Sequence, residues 1–205
     1  MVHNPDLKIK LSEEAMLGLG NQFRTKQAST LAVFLSDLEA GKRIERIHEL
    51  EHSSGARHPN YLGQMPLASS FLLGQGHAAT LLKTVATNVA SELQPMPIIE
   101  PIHAWSYKNT GMAVQSYVLA ATSHDLGTSI MEGFDGRRLK EILRVPDRYA
   151  ACCCVATGYE FEEDYKTTPR LDVDEIVFGD TFGKKWTYSE SWEDDNDENE
   201  LEKSA

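Results

Sequence analysis

The stretch from Leu119 to Leu143, LAATSHDLGTSIMEGFDGRRLKEIL, constrains the fold more than any other part of the chain. A helix rich in small and apolar residues runs to Asp125-Leu126-Gly127. A short extended run, Thr128 to Met131, leads into Glu132-Gly133-Phe134-Asp135. Asp135 stands where an N-cap belongs, and Leu139, Ile142 and Leu143 give the following helix an apolar face. Val145-Pro146 ends that helix. The order helix, strand, glycine-bearing corner, helix start leaves free backbone N–H groups around Glu132 and Gly133, beside a positive dipole end. Such a corner can hold an electron-rich ligand atom. The same pattern also describes a tight turn between two core elements, and periodicity alone favours that plainer reading.

The 205 residues are expected to form one domain with a sizeable core. No apolar run approaches the length of a membrane span. The start, MVHNPDLKIK, has no apolar segment of the kind a secretory signal carries. The formal net charge is -11, of which the segment from Glu190 to Ala205 carries -7, leaving -4 for the remainder. A mildly acidic body without a basic stripe argues against nucleic acid as partner. The tail from residue 189 reads as disordered and acidic. Cys152, Cys153 and Cys154 are adjacent, and neighbours on a strand point to opposite faces, so they suit neither a redox pair nor a tetrahedral metal site. Small buried hydrophobes in a central strand are the expectation, and reduced thiols suit a cytoplasmic location.

In chain order, Leu11 to Arg24 reads as a helix loosened by two glycines, with Ser12 as its cap, and Ser29 to Leu35 as a buried strand. Gly41 to Glu51 reads as a charged helix with Ile44, Ile47 and Leu50 inward. His52 to Pro66 reads as a loop on its glycines and prolines. Ala68 to Leu93 is expected to be a long helix broken at Gly74 or Gly76. Ser106 to Leu126 is a second long helix, with Val114, Tyr117, Val118 and Ala121 on one face. Tyr149 to Thr157 and Glu175 to Phe178 read as strands.

Leu119-Ala120-Ala121, Leu126-Gly127-Thr128, Glu132-Gly133-Phe134-Asp135 and the run from Ala150 to Tyr159, in this order, resemble the C-terminal half of the nitroreductase family of FMN-dependent oxidoreductases. Nearer the front, Asn21 and Arg24 ahead of Leu31-Ala32-Val33-Phe34 are similar to the family's Asn, two residues and a basic residue before a strand. Arg170, within Thr168-Pro169-Arg170-Leu171, matches a basic position that binds the FMN phosphate; Thr168 stands where relatives often have Lys.

The resemblance implies an α+β fold, with a small mixed or antiparallel sheet sandwiched by helices. It implies cofactor contacts at Asn21, Arg24, Met131, Glu132, Gly133 and Arg170, with the Glu132 and Gly133 N–H groups directed at flavin N5. No side chain is implied as acid or base, because the flavin carries the chemistry. NAD(P)H is the implied donor, and a nitroaromatic, quinone or similar small molecule the acceptor. The implied assembly is a homodimer with two long helices at its interface and an arm after Pro169 crossing to the partner. The family's R-x-S and P-S-x-x-N-x-Q-P segments have no counterpart. The expectation is therefore an N-terminally truncated domain over residues 1–188 followed by the tail 189–205, with a non-catalytic remnant as one alternative.

A second alternative is a zinc hydrolase. His48-Glu49-x-x-His52-x-x-Gly55-x-x-His58 fits H-E-x-x-H-x-x-G-x-x-H, with three imidazole ligands and Glu49 as base on zinc-bound water. Only 47 residues precede it, and its helix is heavily charged, so it ranks below the flavoprotein reading. Gly74-Gln75-Gly76-His77-Ala78-Ala79 fits G-x-G-x-x-A, but with no clear strand before it a helix break is the expectation.

Overall fold

β1 (Thr30–Asp37) and β3 (Tyr149–Gly158) form the spine of the molecule, paired antiparallel over eight residues. β2 (Gly127–Met131) pairs antiparallel with the other side of β3, giving the order β1-β3-β2. A middle strand is covered on both faces, which is why β3 reads as an unbroken run of small apolar residues instead of an alternation. Cys153, Cys154, Val155 and Ala156 are all buried. The register slips once: Phe34 faces Cys153 and Leu35 faces Ala151, leaving Cys152 as the extra residue of a β-bulge.

The computed structural model describes residues 1–73, 76–160 and 168–186, in two compact units, Met1–Glu160 and Phe161–Ala205. In the first unit helices cover both faces of the sheet. α1 (Pro5–Glu14) and α7 (Gly136–Leu143) bring Leu11 and Leu139 onto Leu31, Met131, Cys154 and Ala156. α6 (Ile102–Thr122) lays Val114, Tyr117 and Val118 on Ala32, Cys153 and Val155. The adjacent thiols Cys153 and Cys154 thus enter opposite cores, as strand geometry requires. The Tyr117 ring meets Phe34 edge-on at 5.5 Å, and its hydroxyl bonds Thr157 at 2.9 Å. No described helix is long and apolar enough to cross a membrane.

The front of the chain is two helices, not one. α1 ends at Glu14 and α2 (Leu19–Gln27) turns back beside it. Ser12, expected to cap a helix, is instead fully buried and donates to the Gln22 carbonyl at 2.9 Å. Lys8 is also buried; its ammonium bonds the Ala28 and Ser29 carbonyls at the C-terminal end of α2, where a positive charge offsets the helix dipole.

The middle of the chain departs furthest from expectation. A 3-10 turn (Ala40–Arg43) precedes α3 (Ile44–Ser54), whose Ile47 and Leu50 are exposed and not inward. Their spacing marks an apolar stripe but not what covers it. The expected loop from His52 to Pro66 is mostly helix: α4 (Pro59–Leu73) starts on a proline and carries Pro66 inside it. Pro66 offers no N–H to the Leu62 carbonyl four residues back, and His48 Nε2 bonds that carbonyl at 3.0 Å instead. α5 (His77–Ser91) is separate; Gly76 at φ +104° breaks the run, a conformation only glycine adopts cheaply.

In the second unit the expected strand Glu175–Phe178 is instead a helical turn, α8 (Val173–Ile176). Asp172 and Glu175 close a capping box on it. Phe178 then bridges Lys185, and its ring lies 4.6 Å from Phe182. The acidic tail from residue 189 lies outside the described residues.

Candidate functional site

β2 ends at Met131, whose side chain is 3% exposed within the core. Of the residues implied as cofactor contacts, Met131 therefore offers only backbone. The chain then turns through Glu132 to Asp135. Asp135 is extended (φ -81°, ψ 101°), and its Oδ1 accepts from the Arg138 N–H at 3.0 Å, starting α7 as an N-cap. That backbone bond, more than the neighbouring arginine charges, holds the Asp135 carboxyl below the usual carboxylate range.

The turn docks on the segment linking α1 to α2. Asp135 N–H donates to the Ala15 carbonyl at 2.7 Å, Met16 and Phe134 form an antiparallel bridge, and Leu17 N–H donates to the Gly133 carbonyl at 2.8 Å. A second donor reaches the same carbonyl from α2: Asn21 Nδ2, at 3.2 Å, across 112 positions of sequence. Arg24 Nη1 lies 3.5 Å from Asn21 Oδ1, which fixes the amide with its nitrogen toward Gly133. A Cβ on Gly133 would stand 2.4 Å from Asn21 Nδ2, so the Asn21 side chain would have to give way to it.

The Phe134 N–H folds back onto the Glu132 carbonyl at 3.0 Å. The N–H groups of Glu132 and Gly133 donate to no acceptor among the described residues. The exposed Leu17 joins the corner through its N–H and the exposed Arg24 through Asn21, and α2, which carries Asn21, also exposes Leu19 and Phe23. Two unpaired donors beside a helix start and apolar side chains suit the electron-rich edge of a flat aromatic ligand. An isoalloxazine has such an edge, so the residues present fit a flavin.

Asn21, Arg24 and the corner at Gly133 thus lie together, linked through the Asn21 amide. Arg170 belongs to the second unit, where its guanidinium donates to the Thr168 and Pro169 carbonyls at 3.2 Å each. Leu17, whose N–H shares the Gly133 carbonyl, had no signal in the sequence, because a backbone donor carries none.

The zinc reading fails on geometry. His48 is engaged with Leu62, His58 Nδ1 accepts from the Asn60 N–H at 3.2 Å, and Glu49 pairs with Arg46 at 2.9 Å. Among the described residues no three His, Cys, Asp or Glu side chains converge to hold a metal ion. Burial pushes the Cys153 and Cys154 thiols up to about 12, which leaves them inert at neutral pH. A groove of about 310 Å³ between β1 and α6, walled by Phe34, Trp105 and Ala113, borders Asp37, whose carboxylate is already bound by Arg148.

Residues 99–159, spanning α6, β2, α7 and β3, match the family model described as the nitroreductase family. No functionally curated protein matches the chain in sequence. Solved structures do match in fold. A candidate nitroreductase of Exiguobacterium sibiricum 255-15 in complex with FMN superposes with a TM-score of 0.62 at 16% identity, over 86% of this chain and 72% of that one. A candidate NAD(P)H:FMN oxidoreductase of Staphylococcus epidermidis gives 0.61 at 18% identity, over 86% and 71%. A nitroreductase family protein of Streptococcus pneumoniae gives 0.58 at 21%, over 86% and 76%. The α+β sheet sandwiched by helices is the nitroreductase fold.

Proposed function

From a chain that resembles the nitroreductase family in sequence over residues 99–159 and in fold over most of its length, we propose an FMN-dependent oxidoreductase. The observation that carries this reading is the corner at Glu132 and Gly133, where two backbone N–H groups stand unpaired on a turn fixed from α2. Glu132 and Gly133 would hold the electron-rich edge of the ring through these donors, with the positive charge of Arg24 nearby through Asn21. When bound, FMN supplies hydride acceptance at N5 from NAD(P)H and delivery to a nitroaromatic, quinone or similar acceptor. We assign no side chain of the corner as general acid or base. Asp135 is committed to capping α7, and the buried thiols stay protonated.

A homodimer is part of the same proposal. Leu82, Val85 and Val89 form an exposed stripe along one face of α5, at i, i+3 and i+7, and Met112 and Leu119 are exposed on α6. Contiguous exposed aliphatics on long helices support coverage by a second copy.

The test is an FMN titration of the full chain, followed by anaerobic addition of NADH or NADPH and then of a quinone. Saturable flavin uptake, bleaching by the nicotinamide and recovery of colour with the quinone are expected. A chain that takes up no flavin at any concentration refutes the reading.

A further inference from the structure

The amide of Asn21 heads a series of hydrogen-bonded peptide groups ending at the ligand-facing side of the corner. Its Nδ2 donates to the Gly133 carbonyl; the N–H of that same peptide unit, on Phe134, donates to the Glu132 carbonyl; and the N–H of that next unit is the unpaired donor of Gly133. Amides bonded in series polarise one another, so each donor strengthens the next. At the head, the exposed Arg24 guanidinium sits on Asn21 Oδ1 and draws electron density from the amide.

Resting on the flavin reading above, we propose that Asn21 acts as a positioning residue for the corner: it locks and polarises the Glu132-Gly133-Phe134 turn so that the Gly133 N–H is held out as a strong donor. Three features of the geometry support this. One N–H of the Asn21 amide is engaged by the Gly133 carbonyl, and Arg24 Nη1 lies 3.5 Å from its oxygen, so the amide is oriented toward the turn. The space a Cβ of Gly133 would take is filled by that nitrogen, so the turn is shaped around Asn21. The bond also spans 112 positions, tying α2 to the end of β2, elements that share no strand pairing.

Asn21→Ala removes the head of the series, and Asn21→Asp keeps the size and the Arg24 partner but cannot donate. NMR amide exchange on the full chain without flavin reads the turn directly. In both variants the Phe134 amide should exchange several-fold faster and the Gly133 amide proton should move upfield. The Leu139 amide, bonded to the Asp135 carbonyl within α7, should stay as it was. FMN titration of the same variants should show binding weakened about tenfold, the loss of one hydrogen bond's worth of preorganisation. Unmoved Gly133 and Phe134 signals would overturn the proposal. Combined with weakened FMN binding, they would make Asn21 a direct contact. If the parent chain binds no FMN, the flavin reading fails, while the exchange data still decide whether Asn21 holds the turn. Should Asn21→Ala not fold, Asn21→Asp answers by the same signals.

Discussion

His48 Nε2 bonds the Leu62 carbonyl at 3.0 Å, the acceptor left open by Pro66 one turn further along α4. A carbonyl only accepts, so Nε2 is the donor and carries a proton. The relationship gives His48 a structural task where the sequence suggested a zinc ligand.

His48→Ala should therefore cost about 1 kcal/mol of stability through an unpaired carbonyl. In a Pro66→Ala background, where the helix can supply its own donor, the cost of His48→Ala should largely vanish. Denaturant melts of the four combinations check this, with metal analysis of the parent chain alongside. A stoichiometric zinc ion would contradict it.

Gly133→Ala sets a methyl group against Asn21 Nδ2, at a separation of 2.4 Å. Gly133 does not take a positive φ, so no backbone strain is added. The cost is displacement of the Asn21 side chain and loss of its bond, roughly 1–2 kcal/mol. With Asn21→Ala already in place the same substitution should be close to neutral. Chemical denaturation of both pairs gives the coupling energy.

The sheet, both cores and the Asp135 cap were legible because they rest on local pattern: β3 as an apolar run, Val114 and Ala121 on one helix face, a capping residue before an apolar period. Asn21, Arg24, Glu132 and Gly133 entered through a family resemblance, and periodicity alone would have left the corner as an ordinary turn. What was not legible depends on partners distant in sequence. Leu17 reaches Gly133 through backbone, Ile47 and Leu50 are exposed because nothing among the described residues covers them, and in α4 His48 supplies the donor that Pro66 lacks. The Glu175–Phe178 strand failed because the Asp172 and Glu175 capping box outweighs β-branched content over so short a run.

Asp37 at the end of β1 is held below its ordinary value of 3.8, chiefly by hydrogen bonds from Arg148, whose Nε lies 3.1 Å from Oδ1. A carboxyl with a depressed folded pKa adds stability that is fully present above its unfolded value. That stability is lost as pH falls through the folded one, since the unfolded chain binds the proton first. The parent chain should thus lose stability as pH drops below 3.8. Arg148→Met, less stable at pH 7, should show a shallower acid limb. Denaturant melts from pH 7 to pH 2.5 compare the slopes; parallel slopes would remove Asp37–Arg148 as their source.

The three thiols differ in reach. Cys153 and Cys154 are buried and stay protonated well above neutral pH, while Cys152, the bulge residue, is partly exposed. Iodoacetamide at pH 8 should add at most one label to the native chain and three after denaturation, counted by intact mass. Two or more rapid labels on the native protein would mean that β3 is not the buried middle strand.

The stripe of Leu82, Val85 and Val89 on α5 is 71%, 55% and 68% exposed, so nothing within the described chain depends on it. A charge placed there leaves intrachain packing intact and acts only on whatever covers the face. Burying a valine or leucine contributes about 1.5–3 kcal/mol each, and burying an unpaired carboxylate reverses that gain. The parent chain should run in light scattering at twice its 22.9 kDa. Val85→Glu should run at the single mass, with unchanged far-ultraviolet circular dichroism and a weaker affinity for FMN if the pocket is shared between copies. A parent chain that is monomeric at micromolar concentration, or a variant that stays dimeric, would take α5 out of the interface.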